Sequence, residues 1–236
     1  MTTMAFLMSV IVGAMAVFLF RPEWIVRILM RQSRDVLYYA EIKDHVVALT
    51  IDDGPDLVST PKILEVLKRY NAHATFFLIT VNVAGNEEIV LRIIKEGHEI
   101  GNHSVKDEAS IRLTTADFER KLLEAHEILR KFSKVGWFRP GSGLYNRAML
   151  EVIKQQGYQC VLGSVYPFDP QIPHVGFASW YIKQNVQAGS IIVLHDKGSR
   201  GERTTMVLEQ VLPELKRRGF QIVTVSELKK LSSGNN

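Results

Sequence analysis

Residues 49–55 read LTIDDGP, an apolar run ending on two adjacent carboxylates, Asp52 and Asp53, with Gly54 and Pro55 next. Two carboxylates held together do not both stay ionised cheaply unless a cation intervenes. Other polar groups end or follow other apolar runs: His103 after HEIG, Arg139 after VGWF, Asp169 after VLGSV, His195 after SIIVL. In HSVKD (103–107) an imidazole and a carboxylate stand four apart. That is one helical turn, which would put His103 and Asp107 on one face. Asp, His and Asp make a three-ligand set for a divalent metal, with positions left for water and substrate. Such an ion makes a bound water nucleophilic near neutral pH. A carboxylate outside the set can take the proton, and a separate histidine can protonate the leaving group. The chemistry this suggests is metal-assisted hydrolysis. Which of the two adjacent aspartates does which task stays open on spacing alone.

The elements that must position these groups alternate. VVALTI, ATFFLI, HEIG, VGWFRP, YQCVLGSV, SIIVLH and FQIVTV read as strands. Between them, TPKILEVLKRY, NEEIVLRIIKEG, TTADFERKLLEAHEILRKF, NRAMLEVIKQQG, SWYIKQNVQAG and TTMVLEQVLPELKRRG read as helices, and SELKKLSS closes the chain. Pro213, inside the sixth helix, is a candidate kink. Strand–helix alternation implies an α/β fold with a parallel sheet and right-handed crossovers, either a small barrel or an open doubly wound sheet. In both, chemistry gathers at the C-terminal ends of the strands, and the polar groups fall at five such ends.

The chain has 236 residues, 46% hydrophobic and 23% charged, and its net charge of +4 is spread along it. No basic tract with interleaved aromatics argues for nucleic acid, and nothing indicates a protein partner. The single cysteine excludes an internal disulfide and a multi-cysteine zinc site. Residues 1–20 carry no charged side chain, and at about 1.5 Å per residue they reach about 30 Å, one bilayer core. They read as an N-terminal hydrophobic helix, a single-pass membrane anchor, with a cleaved signal peptide and a secreted product as the alternative. Residues 21–44 read as a linker or interfacial helix, 45–231 as the catalytic domain and 232–236 as a tail. Arg21, Arg27, Arg31 and Arg34 follow the span, so the positive-inside rule favours a cytoplasmic domain while cleavage would release it. The side of the membrane is left open.

Five motifs in order resemble those of the NodB-type polysaccharide deacetylases, the fourth carbohydrate esterase family: LTIDDGP, GHEIGNHS, FRPGSG, SVYPFDP and IIVLHD, spanning residues 46–228. The resemblance implies a distorted (β/α)7 barrel and metal-dependent hydrolysis of an N-acetyl group on an amino sugar in a polysaccharide, oligosaccharide or glycolipid. It makes Asp52 the general base and Asp53 and His103 metal ligands, with Asp107 at the place of the third. Arg139 becomes the residue that orients the base, and the backbone N–H of Ser142 an oxyanion donor. Asp169 orients His195, the general acid, and Leu194 lines the acetyl pocket. The cofactor is one divalent ion: zinc, manganese, cobalt or magnesium.

Three positions depart from the family pattern. Asp107 stands where a second histidine is usual, which makes the ligand set harder and shifts it from zinc toward manganese, magnesium or cobalt. Ser142 replaces an aromatic. Tyr166 and Pro170 replace an aspartate and a tryptophan, so the sugar groove differs. The same scaffold also admits a small-molecule deacylase or amidase, or a catalytically silent carbohydrate-binding protein. His98 and Cys160 read as structural, and His126 as a surface or partly buried residue. His174 is a candidate for the cleft wall, and Trp180 and Tyr181 are stacking or core residues. Lys197, Arg200 and Arg203 lie on a glycine-rich loop, either solvated or meeting an anionic substrate.

Overall fold

Strand β2 (Val46–Asp52) is buried at all seven positions, as an unbroken apolar and β-branched run must be when both faces of a parallel sheet are covered. The computed structural model describes residues 35–233. Before β2 comes β1 (Val36–Leu37). After it come α1 (Ser59–Arg69), β3 (Thr75–Leu78), α2 (Glu87–Lys95), β4 (Glu99–Asn102), α3 (Thr115–Leu129), β5 (Trp137–Phe138), α4 (Arg147–Gln155) and β6 (Gln159–Val161). The rest is α5 (Val175–Asn185), β7 (Ile191–His195), α6 (Ser199–Arg217), β8 (Gln221–Val223) and α7 (Val225–Ser233).

The strands form one sheet in the order β1-β6-β5-β4-β3-β2-β7, with β8 also on β2, and every ladder is parallel. The sheet curls into a half-barrel whose two ends touch through isolated bridges, Val165 with Ile192 and Tyr39 with Ser190. Tyr39 follows β1, so the domain starts before the expected boundary at residue 45. The anticipated hydrophobic helix of residues 1–20, and residues 21–34, lie outside the described residues. Among the described residues no helix is long and apolar enough to cross a membrane.

The helices pack by their apolar stripes. α4 buries Met149, Val152 and Ile153, and α2 buries Ile89, Val90 and Ile93. Each fully buried large aliphatic contributes about 1.5–3 kcal/mol. Side chains fix several helix starts: Thr114 accepts from Asp117 N–H at 3.1 Å and Asn146 from Met149 N–H at 2.9 Å. α5 starts four residues earlier than expected because His174 caps it, its Nδ1 accepting from Phe177 N–H at 3.0 Å. α6 starts five residues early and runs through Pro213 as one helix.

The registers align the C-terminal ends of the strands. Asp52 pairs with His195 and with Phe77, Asn102 with Leu78 and Phe138. Asp52, His103, Arg139 and His195 therefore stand at one edge of the sheet, at or one residue past a strand end.

Candidate active site and metal ligands

Adjacent residues of a strand point to opposite faces, so Asp52 and Asp53 need a break in the backbone to share a site. Asp53 supplies it with φ of +75°, the left-handed region that non-glycine residues rarely adopt. The amide of Asn82 holds this turn, Nδ2 donating to Asp53 O at 2.8 Å. Both aspartates are buried, and each has its own cation.

Asp52 is paired with Arg139, whose Nη1 donates to Oδ1 at 2.5 Å. The arginine is itself fixed. Its Nη1 also reaches Thr50 Oγ1 at 2.8 Å, its Nε donates to Val161 O at 3.0 Å, and its Cζ lies 4.1 Å from the Phe77 ring centroid. Three strands thus clamp one guanidinium onto one carboxylate.

Asp53 faces two groups. Its Oδ1 lies 3.6 Å from His103 Nε2, and its Oδ2 accepts from Arg200 Nη1 at 2.8 Å. Burial pushes this carboxyl up, but the contact with His103 and the charges of His103, His195 and Arg200 together hold it down to about 2. His103 contacts Arg139 O through Nδ1 at 2.7 Å. A carbonyl oxygen only accepts, so Nδ1 carries a hydrogen in either protonation state, and Nε2, which faces Asp53 as a donor when the ring is protonated, is the nitrogen left open to a metal when it is neutral. Burial lowers the His103 pKa, yet Asp53 and Asp52 outweigh it and raise it overall.

Two donors that each lie about 2.0–2.2 Å from one ion stand roughly 3 Å apart, so Asp53 Oδ1 and His103 Nε2 fit a divalent metal as a pair. Asp107 is not with them. The segment after His103 is not a helix: Ser104 has φ of +72°, and the chain bends on to an exposed Asp107. The four-residue spacing therefore gives no common helical face. Among the described residues no group of three His, Cys, Asp or Glu side chains gathers to hold an ion.

His195 ends β7, and its Nδ1 lies 3.0 Å from both carboxylate oxygens of the buried Asp169. Burial lowers the His195 pKa, but the bond and charge of Asp169, with Asp52 and Asp53, raise it overall. Tyr166 sets its ring edge-on to His195, centroids 5.8 Å apart. Leu194 is fully buried and pairs with Ile51 in the ladder. Ser142 is exposed on a tight turn with φ of +65°. That turn is wedged against residues 108–110: a Cβ on Gly141 would lie 2.0 Å from Glu108 O, and Gly141 N–H donates to Ser110 Oγ at 2.9 Å.

Sequence reasoning passed over Asp196, which is buried and accepts from Ser59 Oγ at 2.5 Å and from Thr60 Oγ1. Its backbone N–H donates to Asp52 O at 2.7 Å, so it ties the His195 strand to the Asp52 strand and to α1. Arg200 was expected to be solvated or to meet an anionic substrate, and instead is paired with Asp53. His98 is structural as expected: its Nδ1 accepts from Ala74 N–H at 3.2 Å, and burial lowers its pKa to about 4. Cys160 is buried and its thiol pushed up to about 12, the state of an inert core residue.

Residues 40–161 match the polysaccharide deacetylase family model. A peptidoglycan-N-acetylglucosamine deacetylase of Bacillus cereus is 38% identical over 188 residues, 78% of this chain and 88% of that protein. The crystal structure of the Bc1960 peptidoglycan N-acetylglucosamine deacetylase superposes with a TM-score of 0.79 at 30% identity, covering 83% of this chain and 93% of that one. A family 4 acetyl xylan esterase from Clostridium thermocellum, solved in complex with a cobalt ion, superposes at 0.71 with 29% identity, covering 79% and 91%. With its motifs at one sheet edge and more than half its length on the family model, the chain belongs to the polysaccharide deacetylase family.

Proposed function

We propose that this chain hydrolyses the N-acetyl group of N-acetylglucosamine units in a glycan, using one divalent ion held by Asp53 and His103. It is a carbohydrate deacetylase, a hydrolase of a carbon–nitrogen bond. The observation that carries the reading is the register of β2 on β7, which sets Asp52 directly opposite His195. A base and an acid side by side at one strand edge suit a reaction that takes a proton from water and gives one to an amine.

Asp52, held by Arg139, removes the proton of the attacking water. His195, oriented through Nδ1 by Asp169, presents Nε2 to the departing nitrogen and protonates it. The backbone N–H of Ser142 donates to the oxyanion of the tetrahedral intermediate. Leu194 backs the acetyl methyl group. A divalent ion held by Asp53 and His103 would supply Lewis-acid chemistry to the acetyl carbonyl and to water. An oxygen-and-nitrogen pair is compatible with zinc, manganese, cobalt or magnesium. The half-barrel with bridged ends supports reading the fold as the distorted (β/α)7 barrel. The uncharged residues 1–20 support a single-pass membrane anchor.

Acetate release from N-acetylglucosamine oligomers and from peptidoglycan, measured with each of the four ions, tests this. Asp52→Asn should lose roughly 10²–10⁴ in rate while cobalt binding is kept. No acetate from either substrate with any ion, or full activity of Asp52→Asn, would sink the reading.

A further inference from the structure

An arginine is seated on the candidate metal ligand, and the fold holds it there. Gly198 turns the chain into α6 with φ of +53° and donates its N–H to Asp56 Oδ2 at 3.1 Å. Arg200 lies in the first turn of α6. Next to it, Gly201 packs so tightly that a Cβ there would lie 2.2 Å from Ser59 Oγ and 2.5 Å from Asp196 Oδ1. The start of α6 is thereby pressed onto α1 and β7. From this base Arg200 Nη1 reaches Asp53 Oδ2 at 2.8 Å, while Oδ1 is left to His103 at 3.6 Å.

A buried carboxylate needs a positive partner. With a third protein ligand in place, a bound ion would be that partner. Here Asp107 is exposed, no third His, Cys, Asp or Glu side chain gathers with the pair among the described residues, and a guanidinium stands on the free oxygen. An ion on Oδ1 and Nε2 would sit within a few ångströms of that guanidinium, with little water between to screen two positive charges. The side chain of Arg200 is 37% exposed against 4% for Asp53, so the arginine has a route to solvent and the carboxylate has none.

We propose that Arg200 is a built-in competitor of the divalent ion at Asp53: it neutralises the carboxylate when no ion is bound, gives way when one binds, and makes the ion weakly held and exchangeable. This rests on Asp53 and His103 being the metal ligands. The arginine is a positioning and affinity-setting residue and takes no part in bond making.

Calorimetric titration of the chelator-treated full-length chain with cobalt(II) chloride tests it. Arg200→Gln should bind cobalt at least about tenfold tighter than wild type, the scale on which outer-shell groups move metal affinity. Arg200→Lys, which keeps the charge, should stay closer to wild type than Arg200→Gln does. Asp107→Ala should match wild type. Thermal unfolding adds a second readout: cobalt should raise the melting temperature more in Arg200→Gln than in wild type. Unchanged or weaker binding by Arg200→Gln overturns the proposal, and so does a loss in Asp107→Ala, which would make that carboxylate the third ligand. If Asp53→Asn binds cobalt like wild type, the ligand reading beneath is what fails.

Discussion

The imidazole of His103 donates from Nδ1 to the backbone carbonyl of Arg139 across 2.7 Å. The residue that follows β4 is thus set in orientation by the one that follows β5. That bond selects the tautomer with a free Nε2, the form that can hold a metal.

His103→Gln should keep the fold, since its amide can still donate to that carbonyl. It should lower metal affinity by more than roughly 100-fold, beyond what outer-shell changes cost. Cobalt titration checks the affinity and circular dichroism the fold.

Arg139→Met should be among the most destabilising single changes. It leaves Asp52 buried without its cation, and removing one member of a buried pair costs about 3–5 kcal/mol. Chemical denaturation measures this. A loss under about 1 kcal/mol would mean that the pair is not as dry as its burial implies.

The His195–Asp169 contact sets a pH limit. Asp169 raises the pKa of His195 against the opposing effect of burial, so the protonated form of this proposed acid persists to higher pH. Asp169→Asn should move the alkaline limb of kcat/KM to lower pH and reduce its plateau by on the order of 100-fold or more. A pH–rate profile of both proteins, taken at saturating metal, decides it.

Asp196 gives stability a pH dependence of the opposite sign to that of Asp53. Burial pushes its carboxyl up to about 6, although Ser59 and Thr60 donate to it. Between about pH 4 and 6 the folded chain keeps a proton that the unfolded chain releases, so stability falls as pH rises. Asp53, held down to about 2, adds stability that is present above about pH 4 and is lost as pH falls through 2. Asp196→Asn should remove the slope between pH 4 and 6, on the order of 3 kcal/mol. Urea unfolding at pH 4, 5, 6 and 7 reads it.

The sheet was legible in the sequence because buried parallel strands are unbroken apolar runs and the helices between them carry clear stripes. β1 was not: two residues, Val36 and Leu37, make no periodic signal, and their place is set by pairing with Cys160 and Val161. The early start of α5 was hidden because a histidine cap looks like any loop histidine. That Asp52, His103, Arg139 and His195 share one sheet edge was legible through strand ends and motif order. The helical turn read into residues 103–107 is absent for a local reason. Four-residue spacing means one face only on a helix, and the left-handed Ser104 takes the chain out of that geometry. Arg200 lies 147 residues from Asp53, and a pairing at that range leaves no mark in a single sequence.

β2 is bordered by β3, β7 and β8 and is buried from end to end. Its amides should be among the slowest in the molecule to exchange with deuterium, because opening them requires something close to global unfolding. Asp52 is carried on that strand, so the proposed base should be among the last parts of the enzyme to loosen on heating. Loss of activity should then track the cooperative melt, without an earlier phase in which a folded protein has gone silent.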